Sequence, residues 1–381
     1  MENTTMKKKR MANMELLRIL SMMMVVMLHY LDKGGVLPEL TGMLSVNGYA
    51  AWILETLSIA AVNVYMLISG FFLVESSFKC GRLLQILVQV LFYSLLLPIL
   101  LLWFGILDFG DITLFRILHY VLPTQMKHYW FVTAYVTMYL FSPILNIAVR
   151  NMSKIQLKIT LVLLLCFFSV SKSILPVRLE MDAKGYDGLW FICVYLTAAY
   201  IRLYGIPFFK NSRKALTCYL GSCAGILGMT LVLRLIYLKT GRLGTVLTLP
   251  MEYNHILNLL AAISIFYVFY YYKVKSELSA ALIGRIGPYT FGVYLLHEQI
   301  EIRNLWPRWL GASAEGNVMV FLLRCLLSVL LVFGVGILAD MLRGFLFGLA
   351  GRLPVIKKIS LWLKKIDDKL AGKRPREKIA E

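Results

Sequence analysis

Charge is scarce in this chain. Asp, Glu, Lys and Arg make up 16% of its 381 residues, and only 21 are acidic. With 59% hydrophobic residues and a mean hydropathy of +0.72, this scarcity excludes an ordinary soluble domain. Cysteine is sparse as well: six residues, none at C-x-x-C spacing and most inside apolar runs. That pattern argues against a disulfide framework and against a structural metal. There is no G-x-S-x-G elbow, Walker loop, H-E-x-x-H or dinucleotide fingerprint. The missing serine elbow argues against a lipase-like acyl-enzyme. Internal repeats, low-complexity stretches and long soluble insertions are absent too.

What the chain does have is apolar length. Ten runs are long enough to cross a bilayer, at roughly 14–33, 50–74, 82–106, 128–149, 155–175, 188–205, 215–238, 250–272, 285–303 and 314–342. They predict an all-α, polytopic integral membrane protein of about ten transmembrane helices. The first run is too long for a cleaved signal peptide, and no small-residue cleavage site follows Tyr30 before the polar loop. With the N-terminus and the even-numbered connections inside, 27 of the 40 lysines and arginines face the cytoplasm. Ten then lie outside, and Arg18, Arg234 and Arg324 fall within spans. The positive-inside rule therefore puts both termini in the cytoplasm. The net charge of +19 reads as a topology signal and a contact with anionic lipids, not as a sign of nucleic-acid binding. Residues 1–345 form one transmembrane domain, and 346–381 a basic cytoplasmic tail. Within that tail Ile356, Ile359, Leu363, Ile366 and Leu370 recur at helical spacing between lysines, as in an amphipathic helix on the inner leaflet.

Ionisable groups inside membrane helices are costly and mark function by default. Arg18 and His29 both lie in the first run. Eleven residues at about 1.5 Å rise and 100° each separate them by about 16 Å on one helix face. The face carries a cation near the inner side and a titratable base farther across, and Glu15 is three residues before Arg18, in reach of an ion pair. His297, in the ninth run, is expected at the depth of His29, so the two imidazoles can line one cavity. In the second run Asn63, Ser69 and Gly70 suit close helix approach and hydrogen bonds across the bundle. His128, Tyr129 and Trp130 open the fourth run and fit either an aromatic interface belt or stacking on a sugar ring. Glu252, His255 and Asn258 recur every three residues and are expected on one face of the eighth span, as an acid–base cluster or a polar lining.

Four of these segments, in order, resemble the bacterial membrane acyltransferase family 3. Arg18 and His29 match its Arg-x10-His signature, and SGFFL (69–73) is similar to its helix-two motif. His128, Trp130, Phe131, Tyr139 and Pro143 follow its fourth-helix pattern, and YTFGVYLLH (289–297) its late helix. The resemblance implies transfer of an acyl group, commonly acetyl, from cytoplasmic acyl-CoA to a hydroxyl of a surface or lipid-linked glycan. It implies a multi-pass protein of the bacterial cytoplasmic membrane with no permanently bound cofactor. His29 is then the general base or transient acyl carrier, and Arg18 positions the donor by charge-assisted hydrogen bonds. His128, Trp130, Glu252, His255, His297, Ser69 and Asn63 are the candidate substrate-binding residues. Some members carry an extra extracytoplasmic hydrolase-like domain. None is read here, so transfer is expected either directly or through a separate extracytoplasmic transferase partner. A transporter or exporter of a glycan or small metabolite is the rival reading, although the two halves lack the internal similarity that transporters often carry. The loops at 107–127 and 301–316 are expected to carry the choice of acceptor.

Overall fold

A computed structural model describes residues 11–174 and 183–370. The basic residues before Met11, Arg178 and the tail beyond Leu370 lie outside the described residues. The first half of the chain forms α1 (Ala12–Lys33), α2 (Val46–Ser58), α3 (Ala61–Leu73), α4 (Cys80–Trp103), α5 (Leu114–Val121), α6 (Trp130–Asn151), α7 (Lys154–Leu165) and α8 (Ser171–Ile174). The second half forms α9 (Gly188–Tyr204), α10 (Ser212–Thr240), α11 (Ile256–Tyr271), α12 (Glu277–Ile286), α13 (Thr290–His297), α14 (Trp306–Trp309), α15 (Val318–Ala350) and α16 (Pro354–Leu370).

Polar caps set the helix ends. The side chains of Asp187, Asn211 and Asn317 accept the first free N–H groups of α9, α10 and α15. Ser153 and Gln156 close a capping box on α7. Among the described residues, eight helical segments are long and apolar enough to cross a membrane. The other two expected crossings are shorter. α9 has 17 residues, and the ninth is broken into α12, a 3₁₀ turn at Gly287–Tyr289 and the eight residues of α13. The second expected span is itself two helices that meet at Ile59–Ala60.

Burial separates centre from rim. The crossings formed by α1, by α2 with α3, and by the 244–271 segment are buried over two thirds or more of their most apolar stretch, against 39% or less for the other five. Helices α3 and α9 approach most closely at Gly70, where an added Cβ would stand 2.8 Å from the Ala198 Cβ and 3.2 Å from the Tyr195 Cα. Gly70 thus serves packing, as small residues do in membrane bundles. At Gly292 of α13 the neighbour is the Asp340 carboxylate of α15, which would collide with any larger side chain. Asp340 is fully buried. It accepts from Gln89 Nε2 at 3.0 Å, Tyr93 Oη at 2.9 Å and Arg343 Nε at 2.5 Å, which joins α4 to α15 around α13.

A broken helix at membrane depth must have its freed backbone groups satisfied by protein. Here the residues that open the fourth crossing do so. His128 Nε2 accepts the N–H of Ile300 at 3.1 Å, and Tyr129 Oη donates to the carbonyl of Leu295 at 2.9 Å. Both side chains are buried, at 2% and 0% exposure, so they form no interface belt. Helix α16 is amphipathic as expected, with Leu363 and Ile366 half-buried and Asp367 accepting from the N–H of Gly81 at the start of α4.

Candidate active site

His29 lies one turn before the end of α1 and lines a cavity. Met22, Val25 and Leu28 of α1 share the wall with Val62 and Tyr65 of α3, Trp130 and Phe131 of α6, Tyr253, and Phe291 and Tyr294 of α13. The lining is therefore mostly aromatic, with His29 as its titratable nitrogen base. Trp130 stacks on Tyr253 at 5.7 Å and 20° and tilts against Tyr186 at 4.4 Å.

Hydrogen-bond partners fix where the imidazole protons sit. His297 Nδ1 lies 2.6 Å from the Val293 carbonyl, which only accepts. The neutral ring therefore carries its proton on Nδ1, and its Nε2 is an acceptor. That Nε2 stands 2.8 Å from His29 Nδ1. Glu298 Oε2 stands 3.2 Å from the same atom, an ion-pair distance without hydrogen-bond geometry, and Arg303 Nη1 approaches the other carboxylate oxygen at 3.6 Å. With the His297 Nε2 lone pair facing it, His29 Nδ1 holds the ring's proton. Among the described residues no hydrogen bond engages Nε2, on the ring that lines the cavity. A second-nitrogen partner that fixes tautomer and orientation, with a carboxylate to steady the imidazolium, is the arrangement that makes histidine an effective base. The same lone pair is a competent nucleophile.

Arg18 does not line the cavity. It lies about three turns nearer the start of α1, with Nη1 bonded to Glu15 at 2.7 and 2.8 Å and its backbone carbonyl accepting from Tyr65 Oη at 2.9 Å. Glu15 is itself buried, against Gly287.

Of the remaining candidates, His297 and Trp130 join His29, and the others do not. Asn63 is fully engaged: it donates to the Tyr253 carbonyl at 2.8 Å and accepts from Trp190 Nε1 at 2.9 Å, which holds the cavity wall in position. Ser69 lies on α3 outside the cavity lining, and His128 braces the turn after α13. The expected common helix face of Glu252, His255 and Asn258 is corrected. A 3₁₀ turn at Leu249–Met251 with Pro250 precedes extended backbone at Glu252, and His255 is the N-cap of α11, so only Asn258 is helical. Glu252 instead pairs with Lys172 at 2.5 Å, both buried, and Lys172 also donates to Asn254 at 2.9 Å.

Sequence spacing missed Glu298, Lys172 and the aromatic walls. For Glu298 a signal existed, since Glu298–Gln299 interrupts an apolar run directly after His297. The two loops expected to choose the acceptor meet where Tyr120 Oη donates to Glu301 at 2.6 Å, beside Arg116. Burial, then the bonded carboxylate, raises the Tyr120 pKa above the ordinary phenol value. Among the described residues no cluster of His, Cys, Asp and Glu is arranged to hold a metal ion.

Residues 11–339 match the family model described as an acyltransferase domain. No curated protein and no solved structure matches the chain significantly.

Proposed function

The chain belongs to the acyltransferase 3 family, and from that premise we propose that it moves an acyl group, acetyl in the first instance, from cytoplasmic acyl-CoA to a hydroxyl of a cell-surface or lipid-linked glycan. Its setting is the cytoplasmic membrane of a bacterium. The observation that carries this reading is the His29 ring, with its Nδ1 facing His297 and Glu298 and its other nitrogen left free on an aromatic cavity.

In the step we propose, the acceptor hydroxyl gives its proton to His29 Nε2 as its oxygen bonds to the thioester carbon. The C–S bond breaks, and the imidazolium returns the proton to the departing thiolate. Glu298, held by Arg303, offsets the positive charge while it lasts. The alternative order has His29 Nε2 attack the thioester first and carry the acyl group briefly. Protein-bound label after acid quenching distinguishes the two. Aromatic walls around Trp130 suit the flat face of a sugar ring.

Arg18 is the donor-side cation in this scheme. Glu15 occupies Nη1 and leaves Nε and Nη2 to grip a phosphate or the thioester carbonyl. Lysine lacks that fork. Arg18→Lys is expected to lower kcat/KM for acyl-CoA about 10- to 100-fold, the value of one charge-assisted hydrogen bond. Native turnover in steady-state assays of that variant removes Arg18 from the donor site.

The test of the whole reading is label transfer in inverted membrane vesicles, which expose the cytoplasmic face. Radiolabelled acetyl-CoA added outside should mark the envelope glycan fraction only when the protein is present. Unlabelled glycan, with a partner-containing envelope extract supplied and the thioester intact, overturns it.

A further inference from the structure

A second cavity opens at the end of the bundle where α1 begins. It lies between the C-terminus of α9, the turn into α10 and the last turns of α11, with Tyr204, Pro207, Lys210, Tyr267, Tyr270 and Tyr271 on its walls. Two rings are pinned by the backbone. Tyr267 Oη accepts the N–H of Ile206 at 2.8 Å, and Tyr271 Oη donates to the Phe209 carbonyl at 2.7 Å. The cleft is thus preformed. Tyr270 and Tyr271 remain 41% and 38% exposed, and Lys210 is exposed beside them. A second ammonium, that of Lys214, stands 3.9 Å above the neighbouring Phe208 ring.

Tyrosines at a membrane boundary often form only an interfacial belt. A belt needs no concavity, whereas a planar heteroaromatic ring with an attached phosphate needs one lined by aromatic faces and cations. The cleft also adjoins the helix that bears His29. Asn13, in the first turn of α1, donates to the carbonyls of Phe269 and Tyr270 at 2.9 and 3.3 Å. From Asn13 to His29 is about 24 Å along α1, with Arg18 about a third of the way. Cleft, guanidinium and imidazole follow one another in the order in which coenzyme A presents its phosphoadenosine, its diphosphate and, at the end of a long flexible arm, its thioester.

We propose that this cleft receives the 3′-phosphoadenosine end of the acyl-CoA donor, with the tyrosine faces against the base and Lys210 at the phosphate. The proposal rests on acyl-CoA being the donor. Its test uses the full-length protein in nanodiscs and measures equilibrium binding of CoA and of 3′-dephospho-CoA, alongside KM for acetyl-CoA. Lys210→Glu, a surface change, and Tyr270→Ala are each expected to weaken CoA binding and raise KM about tenfold or more, with kcat unchanged. Lys210→Glu should also erase the preference for CoA over its dephospho form. Native affinity in both folded variants overturns the cleft assignment and leaves the donor intact. No CoA binding by the native protein overturns the donor assignment itself, and the cleft assignment with it.

Discussion

His29→Ala is expected to cut acyl transfer by about 100- to 10,000-fold, the usual contribution of a positioned general base. The variant should still reach the membrane folded, because the side chain lines a cavity and supports no backbone group. His297→Ala should cost far less. It removes the acceptor of the His29 Nδ1 proton, but the Glu298 carboxylate remains 3.2 Å from that atom and its charge still favours a proton on the same nitrogen. Glu298→Gln should be similarly mild while His297 is present. Losing both acceptors at once should cost more than the two single losses multiplied, since each covers for the other. Initial rates of label transfer at equal expression decide the matter. Near-native activity in His29→Ala removes the histidine from the reaction, and an equal collapse in His297→Ala assigns both imidazoles to the chemistry.

Asp340→Ala is expected to be the most damaging change for stability, at about 3–5 kcal/mol, the usual loss when one partner of a buried ion pair is removed. Arg343 has a side chain only 11% exposed, and Gln89 and Tyr93 direct their donors at the same carboxylate. Without it, a guanidinium, an amide and a hydroxyl lose their common acceptor beside α13. The double change Asp340→Leu with Arg343→Met should recover part of the loss, because it removes the charge with its partner while Gln89 and Tyr93 still lack their acceptor. Unfolding in denaturant, with the protein in detergent, provides the comparison. A single variant as stable as the native protein would sink the account of α13 as clamped from α15.

The contrast between readable and unreadable features follows from range along the chain. Arg18 and His29 declare a shared face because eleven helical residues fix their relation, and Glu15 finds Arg18 because three residues do. His297 is expected at the depth of His29 on a common cavity. The facing ring nitrogens stand 2.8 Å apart across 268 positions, with His297 behind His29 and not among the residues that line the cavity. Asp340 with Gln89, and Lys172 with Glu252, join residues 251 and 80 apart, and no local periodicity encodes such pairings. Three-residue spacing misled at Glu252 and His255 because Pro250 and a 3₁₀ turn delay the helix. The opening of α6 misled in the opposite sense. His128 and Tyr129 have the composition of an interface belt, yet the broken backbone after α13 recruits both. Nor does the continuous apolar run over 50–74 announce its break at Ile59–Ala60, where neither proline nor glycine stands.

The oxygen that takes the His297 Nδ1 proton belongs to the main chain of Val293, one helical turn back. Every residue type offers the same oxygen there. The tautomer of His297, which turns its Nε2 lone pair toward His29, is therefore inherited from helical winding and not from a second side chain. Sequence drift at position 293 leaves that tautomer unchanged, and unwinding that single turn of α13 removes the restraint that fixes it.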